Sequence, residues 1–136
     1  MQHILGPCCV IRIPFDFNDG LGPIPKRFVI VGHQSGAAIA IKATSKTKSY
    51  HLRPGGFNGV AVFDAGECAA FELDTVIDPA NCFAIQHRIL ESYHRNGHLK
   101  HLGAHHDLRA RLLKAVEEST VLEPARKNGL RRLLLA

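Results

Sequence analysis

Lys26-Arg27-Phe28-Val29-Ile30-Val31-Gly32-His33-Gln34-Ser35-Gly36-Ala37-Ala38-Ile39-Ala40-Ile41-Lys42-Ala43-Thr44-Ser45 is the stretch whose reading decides the fold. Arg27 to Val31 and Ala37 to Ala43 are two runs of strand length, joined through a Gln34-Ser35-Gly36 turn. Their β-branched and small residues suit strands buried on both faces. Each run has a polar residue at its border that a buried strand does not need: Arg27 opens the first and Thr44 closes the second. From Lys26 to Arg53 there are six basic residues and no acidic one. A segment of that kind is shaped to meet a polyanion, which makes a nucleic acid the first partner to consider.

Working outward, residues 8 to 14 read as a preceding strand ended by Pro14, and residues 15 to 26 are loop chemistry, with Asn-Asp-Gly, Leu-Gly-Pro and Ile-Pro. Downstream, Lys46 to Ser49 is a turn, Tyr50 to Leu52 starts a fourth strand, and Pro54-Gly55-Gly56 is a break. Val60 to Phe63 and Ala69 to Leu73 read as a hairpin around Asp64-Ala65-Gly66-Glu67. Thr75-Val76-Ile77 is extended and ends at Asp78-Pro79, and Cys82 to Gln86 is one more short strand. Strands at such intervals argue for a small barrel or sandwich and against a parallel α/β sheet.

The last third changes period. Leu108, Leu112, Ala115 and Val116 define one helical face, with Asp107 as its N-cap or first-turn acid. Glu123-Pro124 closes that segment, and Arg126 to Leu135 forms a weaker helix interrupted by Gly129. His94, His98, His101, His105 and His106 lie in between. Their spacing imitates metal ligands, but Asn96-Gly97 and Leu102-Gly103 interrupt any helix, so this run reads as a solvated connection without a native metal site.

With 136 residues, 46% apolar and 21% charged, the composition is that of one globular domain, mainly β with a helical C-terminal part. The barrel occupies about residues 8–90 and the helical part about 104–136. No apolar run approaches the ~20 residues of a membrane span, and no signal peptide is indicated, so a cytoplasmic location is the expectation. Cys8, Cys9, Cys68 and Cys82 contain no C-x-x-C pair and read as buried structural thiols, with Cys8 and Cys9 on opposite faces of a strand. The net charge is +5. Residues 1–87 balance, and the tail carries the excess.

These residues resemble the MazF/PemK family, the toxins of bacterial toxin–antitoxin pairs. The family shows a first strand ending in Pro-Phe, a loop with Asp-Gly, and a basic Arg-Pro-x-x-Val strand. The matching text here is Pro14-Phe15, Asp19-Gly20 and Lys26-Arg27-Phe28-Val29-Ile30-Val31. The next family strand ends in a Thr-Ser or Thr-Thr pair, matched by Thr44-Ser45. An Asp before a Ser/Thr-x-Ile strand is matched by Glu72-Leu73-Asp74-Thr75-Val76-Ile77. Phe28 replaces the family's proline, and Glu72 stands where some members have a catalytic arginine.

The resemblance implies an SH3-like small barrel with a C-terminal helix, forming a two-fold dimer. It implies a metal-independent endoribonuclease, without cofactor, that cuts single-stranded RNA through attack of the 2′-hydroxyl and is restrained by an antitoxin protein. Such a reaction needs a base, charge stabilisation at the phosphoryl oxygens and a proton for the leaving 5′-oxygen. Arg27 suits the second task, because a guanidinium fork matches phosphate and stays charged. Thr44 donates to the same oxygens. For the base, Asp74 and His51 are both open, with His33 behind them, and Asp74 serves equally to orient Arg27 or to cap a turn.

Lys26, Lys42, Ser45, Lys46 and Lys48 are placed to track the RNA backbone, Tyr50 and Phe57 to stack bases, and Asp16, Asp19 and the loop to Pro25 to form a lid. Two other readings use the same residues. A barrel of this kind without cleavage would be an RNA- or protein-binding module, which the Phe28 and Glu72 departures favour. A toxin directed at gyrase by protein contact is the third.

Overall fold

The computed structural model describes residues 5–16, 20 and 22–136. Four residues of the loop read as a lid, 17–19 and 21, with Asp19 among them, lie outside the described residues. Six strands form one antiparallel, curled sheet in the order β4-β5-β3-β2-β1-β6. They are β1 (Cys9–Phe15), β2 (Ile24–Gln34), β3 (Ala37–Thr44), β4 (Ala61–Phe63), β5 (Thr75–Gln86) and β6 (Lys100–Ala104). The four helices are α1 (Lys48–Leu52), α2 (His87–Arg95), α3 (Leu108–Glu118) and α4 (Pro124–Leu135).

The β2–β3 hairpin folds as its sequence requires. Ser35 (φ 53°) and Gly36 (φ 77°) take the two left-handed positions of a tight two-residue turn, whose twist matches that of the flanking strands. Period-two alternation then gives the sheet two apolar faces. Val10, Val29, Val31, Ile41 and Ile77 join Leu112, Val116 and Leu134 of α3 and α4 on one face. Cys9, Ile11, Phe28, Ile30 and Ala40 join Leu90 of α2 on the other. Cys8 and Cys9 do fall on opposite sides, and all four cysteines are free thiols, three buried and Cys82 half-buried. Burial raises each of their pKa values, that of Cys9 to about 11. Helix α4 seats closely on β2: a Cβ built on Gly32 would come within 2.9 Å of Leu133 Cδ2.

Four local expectations are corrected. Tyr50 to Leu52 is not a strand but part of α1, because the Thr47 carbonyl accepts the Tyr50 and His51 N–H groups (3.0 and 3.4 Å). Ala69 to Leu73 does not pair with β4. Phe71 is bound instead into a compact turn by Phe71 N–H to Cys68 O and Gly66 N–H to Phe71 O, both 3.0 Å. β4 pairs with the start of β5, Ala61 opposite Ile77 and Phe63 opposite Thr75.

Asp78-Pro79 does not end a strand either. Ile41 faces Cys82 and Ala43 faces Ile77, so residues 78–81 swell out as a bulge where proline's missing N–H costs no ladder bond. The histidine run is largely exposed, as read, but it is not one connection. His94 belongs to α2, and His101 lies in β6, opposite Ile11 of β1. His101 Nδ1 accepts the Gly103 N–H at 3.1 Å, which leaves the ring proton on Nε2, 2.7 Å from Cys9 Sγ.

The two C-terminal helices form as read. However, α4 starts at Pro124, a residue suited to a first helical turn, and runs through Gly129 unbroken. Among the described residues no helix is long and apolar enough to cross a membrane.

Candidate nucleic-acid interface

Arg27 on β2 lies directly opposite Ala43 on β3, and Thr44 lies opposite Val76 on β5. The borders of three adjacent strands therefore meet at one end of the sheet. They enclose a cleft of about 70 Å³ lined by Arg27, Thr44, Ser45, Glu72, Leu73 and Thr75, over Ala43 and Phe71. Such a volume suits a group about the size of a phosphate and not a whole nucleotide.

Each polar group in the cleft has a defined state. Arg27 Nε is buried without a hydrogen-bond partner. A buried donor left unpaired is costly unless something arrives to accept from it. Thr44 ends β3 one residue past Ala43, so alternation sets its side chain on the Lys42 side of the cleft rim, where its Oγ1 accepts the Lys46 N–H at 3.1 Å and keeps a proton to donate. Thr75 is different: its hydroxyl donates to Leu73 O at 2.9 Å, and it serves as buried wall. Ser45 and Glu72 line the cleft and are exposed to solvent.

The other sequence-read residues divide. Lys26 and Lys42 alternate with Arg27 and Ala43 and so stand on the opposite face of the same strand ends. Burial, and then the charges of Lys26 and Lys46, holds the Lys42 pKa below its usual value, so the three amines share a neighbourhood. Lys46 follows the cleft directly, and Lys48 is exposed at the start of α1.

Asp74 does not line the cleft. Its Oδ1 accepts the Ala65 N–H at 2.8 Å and ties down the 64–67 turn. His51 is exposed on α1, with its ring edge-on to Phe57 at 4.7 Å, also away from the cleft. His33 pairs with His87, Nδ1 to Nε2 at 2.8 Å, and donates from Nε2 to Leu5 O at 2.5 Å. Tyr50 is not open for base stacking. It is buried, its hydroxyl donates to Asp78 Oδ2 at 3.0 Å, and the Arg53 guanidinium lies over its ring at 4.5 Å.

Two cleft residues escape sequence reasoning as site residues. Glu72 attracts notice only as a departure from a family pattern, and Thr75 only as part of a strand. The alternation of Thr75-Val76-Ile77 carries a signal for Thr75, since it places that residue on the face shared with Ile77. Nothing local shows that the turn before it returns Glu72 to the Arg27 side. No family model matches this chain, and no curated protein matches it in sequence.

Proposed function

We propose that the chain is a metal-independent endoribonuclease of the MazF/PemK type, acting on single-stranded RNA from an SH3-like barrel. The observation that carries the reading is a phosphate-sized cleft at the strand ends, lined by Arg27 with its unpartnered buried Nε and edged by Thr44. Arg27 and Thr44 hold the non-bridging oxygens of the scissile phosphate and stabilise the charge that builds there. Glu72 replaces Asp74 as the base, because it lines the cleft while Asp74 is engaged with Ala65. It takes the proton from the 2′-hydroxyl, the oxygen bonds to phosphorus, and the bond to the 5′-oxygen breaks. The leaving oxygen is protonated from solvent on the open side, by Ser45. Products are a 2′,3′-cyclic phosphate and a 5′-hydroxyl end.

A homodimer and an acidic antitoxin segment neutralising the basic strand ends belong to the same proposal. The second reading, a binding module without cleavage, is favoured by the engagement of Asp74 in a turn.

The test is incubation of a long single-stranded RNA with purified protein in EDTA. Cuts at a repeated short sequence, ending in cyclic phosphate, are expected. Arg27→Ala should lower the rate by about 100-fold or more, as loss of an oxyanion donor does. Glu72→Gln should lower it by ~10²–10⁴-fold, as loss of a general base does. Intact RNA with well-folded wild-type protein removes the enzyme and leaves the binding module.

A further inference from the structure

Three cations stand shoulder to shoulder across three strands. Lys100 of β6 lies directly opposite Arg12 of β1, and Arg12 directly opposite Arg27 of β2. Directly opposed residues of an antiparallel pair project from the same face, so the three side chains form one row perpendicular to the strands. At about 4.8 Å between strands the row spans roughly 10 Å.

Like charges in direct opposition destabilise a sheet. The ion pairs of Arg53, Arg111 and Arg131 do not involve Arg12, Arg27 or Lys100. Beyond Arg12 the row opens into a groove of about 230 Å³ formed by Arg12, Lys100, Pro14, Pro25, Gly97 and His98. Pro14 and Pro25 are themselves cross-strand partners. Neither has an N–H, so the groove floor there is apolar and offers no backbone donor. Cations along one wall and apolar rings beneath are the chemistry that takes a single-stranded nucleic acid: phosphates on the charges, sugars and bases over the rings.

We propose that Arg12 and Lys100 are backbone-binding residues for single-stranded RNA, which runs from the Arg27 cleft across β1 to the outer strand β6. The inference rests on the RNA reading of that cleft for the position of the first phosphate. Its consequence is a substrate several nucleotides long, held mainly by charge beyond the scissile bond.

The probe is a fluorescent, mixed-sequence single-stranded RNA oligonucleotide, 2′-O-methylated throughout so that no attacking hydroxyl is present. Its binding to the full chain is measured over a range of salt concentrations. Arg12→Gln and Lys100→Gln should each weaken binding alike for different sequences and flatten the slope of log K against log salt by about 0.7. The double variant should flatten it by about 1.4, on the same per-contact figure. Lys114→Gln on the exposed side of α3 should leave the slope unchanged. Circular dichroism confirms folding of each variant.

Slopes unchanged in both row variants overturn the proposal. So does absence of binding, and so does a polyglutamate peptide that binds the row when the oligonucleotide does not. Loss of slope in the row variants with no cleavage of unmodified RNA supports the path and refutes the nuclease. Unchanged slopes beside normal cleavage refute the path alone.

Discussion

Tyr50 separates a structural reading of the basic segment from a functional one, and Tyr50→Phe is the sharpest perturbation of it. The substitution removes one oxygen and leaves the ring, with its contact to Arg53, in place. What is lost is a buried 3.0 Å hydrogen bond to a carboxylate. Asp78 is not orphaned by the change: its Oδ1 still accepts the Ala80 N–H at 3.0 Å and its Oδ2 lies 3.6 Å from Arg53. The cost is therefore that of one hydrogen bond to a charged group, about 1.5–3 kcal/mol.

Unfolding entropy scales with chain length, so at this size each kcal/mol moves Tm by about 3–4 °C. A fall of roughly 5–10 °C in a circular-dichroism melt is expected by that scaling. RNA binding and cleavage below the new Tm should be unaltered. The same bond predicts a spectroscopic signature. Burial and the Asp78 charge push the Tyr50 hydroxyl up to about 12. A pKa raised above the unfolded value of 10.0 means that the neutral phenol is favoured by folding. That stability is complete below the unfolded pKa and is lost as pH rises through the folded one. An unchanged Tm combined with weakened RNA binding would refute this reasoning and restore Tyr50 as a base-stacking residue.

The His33–His87 pair should make stability depend on pH in the opposite sense. Burial first, and then the His33 charge, lowers the His87 pKa from 6.5, so its contribution is present above that value and lost as pH falls through the folded pKa. Urea midpoints across that range should fall on acidification, and His87→Asn should flatten the dependence. Leu112→Ala empties a fully buried site under the sheet and should cost about 2–5 kcal/mol by urea unfolding. Gly32→Ala drives a methyl against Leu133 and should cost up to about 1–3 kcal/mol. The double variant with Leu133→Ala should then be more stable than the sum of the single changes predicts, since the two side chains share one space.

Much of the site is legible in the chain because its residues sit at the borders of a strongly patterned hairpin. Ser35 and Gly36 make the two-residue turn that starts the pairing, and a bulge between Ile30 and Gly32 then shifts the register by one so that Arg27 faces Ala43 at the end of β3. The helical face of Leu108, Leu112, Ala115 and Val116 is legible for a similar reason, since its period of 3.6 is a local property. What failed was longer in range or irregular. Tyr50 looks like an open aromatic in a polar turn, and only the distant Asp78 takes it inside. Asp74 and Glu72 are both acids near a strand start, and the partner 9 residues before Asp74 decides which one is engaged.

The sequence by itself determined the alternating strands, the central hairpin, the C-terminal helix and the basic character of the segment from Lys26 to Arg53. Those follow from periodicity, turn conformation and composition, which act over a few residues. Only the tertiary structure decided that β6 pairs with β1, which lines up Lys100, Arg12 and Arg27. Only it decided that Glu72, and not Asp74, faces the cleft. Cross-strand order and the exit angle of a turn are set by which apolar faces bury together, and no window of local sequence carries that information.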